Sequence, residues 1–364
     1  MVGDKINLLG LDRAALERLF ARIGEQKYRA AQFMKALYHH YQTEFDSLTT
    51  FSKSLRAKMQ EIASLAVPQV ISEKISDDGT IKWLMQMYEG NAIETVYIPE
   101  KNRGTLCISS QIGCSLNCSF CATGAQGFNR HLSTDEIVGQ VWVAASRLGQ
   151  STKNRKITNI VLMGMGEPLA NYSNVLPALK IFVDDFGFGF ANRRVTVSTS
   201  GMVPYIQQLN IDIDVSLAIS LHAPNDELRN QLVPLNKKYN IKELLSACSD
   251  FIKDKRKAKI TIEYTLIKGV NDQPEHARSL VKLLSKIPCK INLIPFNPFP
   301  GNDYQRPDYD TVEQFQNICE KSRIVTTVRR TRGDDIDAAC GQLAGDFMDR
   351  TRRSNNTLLK LKVS

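Results

Sequence analysis

Three cysteines crowd one short stretch, "CSLNCSFC": Cys114, Cys118 and Cys121. Spacings of four and then three residues let three thiolates converge on one centre from a single loop. Structural zinc takes four ligands in two close pairs, and no fourth Cys or His stands at the expected distance, although His131 or His222 could complete such a set. An iron–sulfur reading is sharper. A four-iron cluster takes one thiolate per iron, so three cysteines leave one iron open to a small molecule.

Other residues could hold that molecule. In "GMGEP", glycines let backbone approach a ligand, and Glu167, next to Gly166, can accept a bond from an ammonium. Alone, the motif also describes an ordinary strand-to-helix turn. Ser198 in "VTVSTSG" and Ser220, Leu221 and His222 in "SLH" follow strands, where hydroxyls and backbone can hold a ribose or a base. Singly, Ser198 and His222 are more often strand-end hydrogen-bonders. Asn297 opens a Pro-rich turn. Of the other cysteines, Cys248 and Cys319 fall within helical patterns and Cys289 just after one, which suits packing. Cys107 lies in a strand, Cys340 in the Gly- and Ala-flanked "GDDIDAACGQLAG", and neither has a role legible from its surroundings. Glu94, in "NAIETVYIP", is by itself a strand carboxylate.

The elements that must position these groups follow from periodicity. Residues 1–66 read as a helical module: "LDRAALERLFARIG" has Asp12 as a cap and Leu16, Leu19, Phe20 and Ile23 at helical spacing. A second run places Ala31, Met34, Leu37 and Tyr38 on one face, and "SKSLRAKMQEIASL" makes a third. Residues 67–99 carry turn signals at Asp78-Gly79 and Gly90-Asn91 between apolar runs, the mark of an antiparallel extension. Residues 100–341 alternate six strands ("TLCISS", "ITNIVLMG", "RRVTVSTS", "DVSLAISLH", "KITIEYTLI" and "KINLIPF") with amphipathic runs, one opened by a Ser133-x-x-Glu136 capping box. Six βα units mean an α/β domain with a parallel sheet, and each polar motif falls just after a strand. A doubly wound sheet and an open, six-stranded partial barrel both fit. Residues 342–364 form a polar, basic tail.

The 364 residues carry a formal charge of +9, which suits a polyanionic partner such as RNA. No apolar run approaches the ~20 residues of a membrane helix, and the N-terminus lacks the layout of a signal peptide. A cytoplasmic location is expected, where thiols stay reduced.

Around the three cysteines, "CISSQIGCSLNCSFCATG", "GFNRHLS", "MGMGEPL", "RRVTVSTSG", "AISLHAPND", "INLIPFNPFPG" and "TRGDDIDAACGQLAG" closely resemble the bacterial radical S-adenosylmethionine (SAM) methyltransferases that modify adenine C2 in 23S rRNA and in tRNA. The resemblance runs from about residue 28 to about residue 353. It implies a partial (βα)6 barrel, with the N-terminal helices as an accessory domain and the hairpins as a short β extension. It also implies a [4Fe–4S] cluster on Cys114, Cys118 and Cys121, with SAM held by Gly166, Glu167, Ser198, Ser220, Leu221, His222 and Asn297.

Adenine C2 is electron-poor, which rules out direct attack on SAM, and the family resemblance implies a detour. One SAM methylates the Cys340 thiolate. A second yields a 5′-deoxyadenosyl radical that removes hydrogen from the S-methyl group. The sulfur-bound methylene adds to C2, Glu94 takes the C2 proton, and Cys107 attacks the Cys340 sulfur. Methylated RNA leaves, and a transient disulfide remains. A cytosolic electron donor such as flavodoxin and a monomeric chain complete the expectation. The alternatives are a C8-methylating resistance relative on the same scaffold and a non-catalytic, metal-stabilised RNA-binding protein.

Overall fold

The computed structural model describes residues 5–151, 153–255, 259–329, 332–339 and 341–351. At the N-terminus, β1 (Ile6–Asn7) and β2 (Ala63–Ser64) pair in parallel and bracket three helices, α1 (Arg13–Arg22), α2 (Arg29–Tyr38) and α3 (Lys53–Ile62). Asp12 caps α1 through the Ala15 N–H, and Ser52 caps α3 through that of Leu55. Helix α2 buries Ala30, Phe33, Met34 and Leu37, so its apolar stripe passes through Ala30 rather than Ala31.

The chain then builds three antiparallel strands, β3 (Gln69–Ile75), β4 (Ile81–Gln86) and β5 (Ala92–Glu100). The β3–β4 turn needs Gly79, whose φ is +81°. These strands do not stand apart. β5 pairs antiparallel with β6 (Arg103–Cys107), and β6 pairs in parallel with the next long strand of the domain. A small hairpin of β7 (Gln111–Gly113) and β8 (Phe128–His131) encloses the cysteine loop and α4 (Ala122–Gln126).

Helix α5 (Thr134–Arg147) starts with the expected box, the Glu136 carboxylate accepting the Ser133 N–H at 2.9 Å. The alternation then continues through β9 (Asn159–Leu162), α6 (Tyr172–Val183), β10 (Val195–Thr199), α7 (Val203–Asp212), β11 (Ser216–Ser220), α8 (Asp226–Leu232), α9 (Ile241–Ile252), β12 (Ile260–Leu266), α10 (Pro274–Leu284), β13 (Cys289–Pro295), α11 (Tyr309–Lys321) and β14 (Thr326–Val328). Strand order across the ten-stranded sheet is β14-β13-β12-β11-β10-β9-β6-β5-β4-β3.

That order decides between the two architectures. The parallel strands follow one another in sequence without a reversal, so crossovers of one hand stack all the helices on one face. A doubly wound sheet requires a reversal. The sheet is therefore an open partial barrel, with β14 as a seventh parallel strand beyond the six expected. Its outer face is apolar: Leu106, Ile160, Val197, Leu217, Ile219, Ile262 and Leu293 are buried in one core with residues of α5, α6, α7 and α9. Its inner face is largely polar. The register carries Cys107, Val161, Thr196, Ser198, Ser220, Glu263, Thr265 and Asn292 along that side. Among the described residues, no helix is long and apolar enough to cross a membrane.

Candidate active site

At the C-terminal ends of the parallel strands lies an open cavity, whose empty space, open solvent included, is about 980 Å³. Cys114, Cys118 and Cys121 line one wall, and Gly166, Glu167, Ser198, Ser220, His222 and Asn297 line others. Burial pushes the Cys118 thiol well up, and the charges of Cys114 and Cys121 push it further. Thiols so raised stay protonated unless a cation takes up the charge of their thiolates. Among the described residues, no three His, Cys, Asp or Glu side chains stand close enough to hold a single metal ion. A four-iron cluster asks less of them, because it spreads its thiolates over separate irons. His131 lies outside the cavity wall, on β8, where its Nδ1 meets the Gln111 amide at 3.0 Å.

The Gly-rich turn is strapped in place from below. Gly166 has φ +96°, and a Cβ there would meet the Gln111 side chain at 2.5 Å, so only glycine fits. Gln111 accepts the Glu167 N–H at 2.9 Å. The Glu167 carboxylate accepts the N–H groups of Leu169 (3.1 Å) and Ser200 (2.8 Å). Burial raises its pKa to about 7 against those bonds. The remaining lone pairs are the acceptors available to an ammonium.

His222 has φ +59° and a buried ring stacked obliquely on Phe120, with centroids 4.5 Å apart. Its Nδ1 accepts the Thr265 N–H at 2.9 Å, which places the ring proton on Nε2. Burial lowers its pKa to about 3, so the ring is a neutral donor. The Asn297 side-chain oxygen accepts from Arg306. Leu221 does not reach the wall: its N–H goes to the Glu263 carbonyl, and its own carbonyl to the Arg229 guanidinium. Cys248, Cys289 and Cys319 are buried in the core, and burial raises their thiols to about 12, 11 and 12.

Glu94 and Cys107 lie outside that wall but on the same sheet face as its strands. Cys107 is opposite Val96 in register, and Glu94 is two residues from Val96, so both side chains take the inner side. Burial raises the Glu94 carboxyl, which is opposed by Lys82 at 2.9 Å and by the Ala344 N–H at 2.8 Å. Cys340 falls outside the described residues. Its neighbour Gly341, at φ +85°, lines the cavity, and the Gly341 carbonyl accepts the Ala122 N–H at 2.8 Å.

Several residues that support the site carry no motif. Ser109 Oγ donates to the Glu94 carbonyl and accepts the Met165 N–H, at 2.8 and 2.9 Å. Gln140, buried within α5, accepts from Ser109 N and Thr95 Oγ1 and donates to the Ser109 carbonyl. Arg229, fully buried, donates to the carbonyls of Leu221, Ser200 and Ser220 and to Asn236.

Residues 6–65 match the family model for the ribosomal RNA large subunit methyltransferase N-terminal domain, and residues 108–281 match the radical SAM superfamily. The chain is 57% identical to the dual-specificity RNA methyltransferase RlmN of Stenotrophomonas maltophilia, over 97% of this chain and 92% of that one. It is 55% identical to the Marinobacter nauticus RlmN, over 99% and 98%. The chain belongs to the RlmN family. A crystal structure of a radical SAM methyltransferase from Sphaerobacter thermophilus superposes with a TM-score of 0.87 at 43% identity, covering 93% of this chain and 99% of that one. The cofactors of this RlmN-family chain are accordingly a [4Fe–4S] cluster and SAM. The residues present fit them: three thiols on one wall, facing a cavity with a buried carboxylate, hydroxyls and a neutral imidazole.

Proposed function

We infer that this chain is a dual-specificity RNA methyltransferase that places a methyl group on adenine C2 in 23S rRNA and in tRNA. The carrying observation is the one cavity that gathers the three cysteines and the strand-end polar groups in a chain that matches RlmN along nearly its whole length. When bound, the cluster and SAM supply a methyl group and a species able to remove a hydrogen atom.

The chain's own residues are assigned as follows. Cys114, Cys118 and Cys121 hold the cluster, while Gly166, Glu167, Ser198, Ser220, His222 and Asn297 hold SAM; Leu221, whose N–H and C=O are bonded to Glu263 and Arg229, serves by fixing the Ser220–His222 turn. Cys340 carries the methyl group as a thioether and joins through it to C2. Glu94 takes the C2 proton. The C2 adduct must lose one electron, which returns to the cluster when bound. Cys107, as thiolate, then attacks the Cys340 sulfur: the Cys340–carbon bond breaks with its electron pair on carbon, which takes up a proton to become the methyl group, a Cys107–Cys340 disulfide forms, and methylated RNA leaves. Support for this set comes from the shared inner face of Glu94 and Cys107 and from Gly341 in the cavity wall.

The reading extends to a monomer in the cytoplasm, reduced by an electron donor such as flavodoxin. Residues 1–66 would be the accessory domain, 67–99 the extension, 100–341 the catalytic core and 342–364 a basic tail.

Anaerobic reconstitution, followed by mass spectrometry of digested rRNA and tRNA, tests the reading, with 2-methyladenosine expected in both. 8-Methyladenosine as the sole product overturns it, as does a colourless zinc protein that cleaves no SAM. In the same assay Cys107→Ala should keep the methyl on Cys340 and accumulate a covalent RNA–protein adduct. Free turnover by that variant removes Cys107 from the scheme.

A further inference from the structure

Lys82 sits on β4 with its side chain 8% exposed and its ammonium 2.9 Å from Glu94 Oε1. The same ammonium donates to the Asp337 carbonyl at 3.1 Å, and Glu94 Oε2 accepts the Ala344 N–H at 2.8 Å. One ion pair thus grips the chain three residues before position 340 and four residues after it. In register Lys82 faces Val96 and Leu84 faces Glu94, so lysine and carboxylate are diagonal neighbours on the inner face. Below them the Glu94 backbone is fixed by Ser109 Oγ.

A buried ion pair is poor evidence of stabilisation, because stripping water from both charges costs several kcal/mol that the pairing only roughly offsets. An apolar pair would hold two strands together as well. What an apolar pair could not do is bond a carbonyl and an amide of the facing loop while leaving a carboxylate charged. A buried carboxyl without a cation drifts toward its protonated form and cannot accept a proton. Lys74, opposite Lys82 on β3, and Asp346 line the small cavity beside the pair, and Asp337 bears on Glu94 from the loop.

We propose that Lys82 is a positioning residue of methyl transfer, holding Glu94 ionised and, with it, the Asp337 carbonyl and the Ala344 N–H in place. This rests on the reading of Glu94 as proton acceptor and of Cys340 as methyl carrier.

Reconstituted holoenzyme and a tRNA substrate test it, with Lys82→Met, Lys82→Arg, Glu94→Gln and the Lys82→Met/Glu94→Gln double variant. Each is followed for product formation, cluster iron, methylation of Cys340 by intact mass, and covalent RNA–protein adduct. Lys82→Met should lower kcat about 100-fold, the scale of a lost acid–base contribution, with KM for RNA held within about threefold and adduct accumulating. Lys82→Arg should recover at least about tenfold, because it restores charge and donors. The double variant should be no slower than Glu94→Gln, as expected of two residues acting as one unit.

The proposal falls if Lys82→Met turns over near the wild-type rate, if it slows without adduct, or if Lys82→Arg recovers nothing. Should Lys82→Met fail to retain iron, Lys82→Gln is judged by the same readings. A stalled Glu94→Gln beside a freely turning Lys82→Met removes this proposal alone. A freely turning Glu94→Gln removes the underlying reading and this proposal with it.

Discussion

Around the cysteine-lined cavity, most contributing residues sit at the end of a parallel strand or in the loop that follows it. The antiparallel wing reaches its partners across the chain instead. Lys82 and Asp337 are 255 residues apart, Glu94 and Ala344 are 250 apart, and Ser76 bonds to Asp335 across 259. Cofactor chemistry is thus served by local turns with fixed backbone, whereas the residues assigned to the RNA step are assembled by long-range side-chain-to-backbone bonds. Short-range geometry is specified by a few neighbouring residue types. Long-range geometry depends on the whole sheet being formed first.

The contrast can be broken from either side. The largest effect should come from Cys118→Ala, which removes a thiol assigned to the cluster: iron and sulfide content collapse and methyl transfer is abolished, while RNA affinity, measured by filter binding, stays within about threefold because backbone binding by Lys and Arg does not use this thiol. Loss of RNA binding in step with iron would mean that the two regions are not separable. Next is Arg229→Met, which strands the buried carbonyls of Leu221, Ser200 and Ser220 behind the cavity. Denaturant unfolding should show a loss of about 3 kcal/mol, and SAM binding should weaken with it.

The smallest effect belongs to the wing's outer anchor, Asp78. Slight burial acts to raise its pKa, but bonds from Thr80, the Gly333 N–H and Ser76 prevail and hold it at about 2. Because its folded pKa lies below the unfolded value, its contribution is present above about pH 4 and fades as pH falls through about 2. The Asp78 side chain is 27% exposed and solvent screens its bonds, so Asp78→Asn should cost about 1 kcal/mol at pH 7, with the two stability curves meeting below about pH 2 and SAM binding unchanged.

Legibility follows the same divide. The three cysteines announce themselves through residue type and spacing; the Gly166-Glu167 turn and the strand-end Ser198, Ser220 and His222 are marked as site residues by the family resemblance, and one cavity gathers them all. Leu221 belongs to the same motif, yet its N–H and C=O are spent inside the sheet, a detail that only the Arg229 side chain explains. The choice of barrel was written in alternation along single strands. Val195-Thr196-Val197-Ser198 and Ile260-Thr261-Ile262-Glu263 read apolar on one side and polar on the other, whereas strands sandwiched between two helical layers are apolar throughout. Counting elements alone missed that signal. β14 was too short, at three residues, to register. Gln140 did leave a trace, as one amide in the apolar run "IVGQVWVAA". Nothing local marks Lys82 or Ser109, whose partners are supplied by strand pairing and by the C-terminal segment.

The polar inner face of the barrel has a consequence for how such a protein can change. Most of the apolar mass that keeps the sheet folded lies on its other side, beneath the helices. Residues of the trough can therefore be exchanged for others of similar size while the foundation stays intact, and new occupants can be accommodated by small steps. Scaffold and workshop are kept on opposite sides of one wall, so mutational drift can explore the second without demolishing the first.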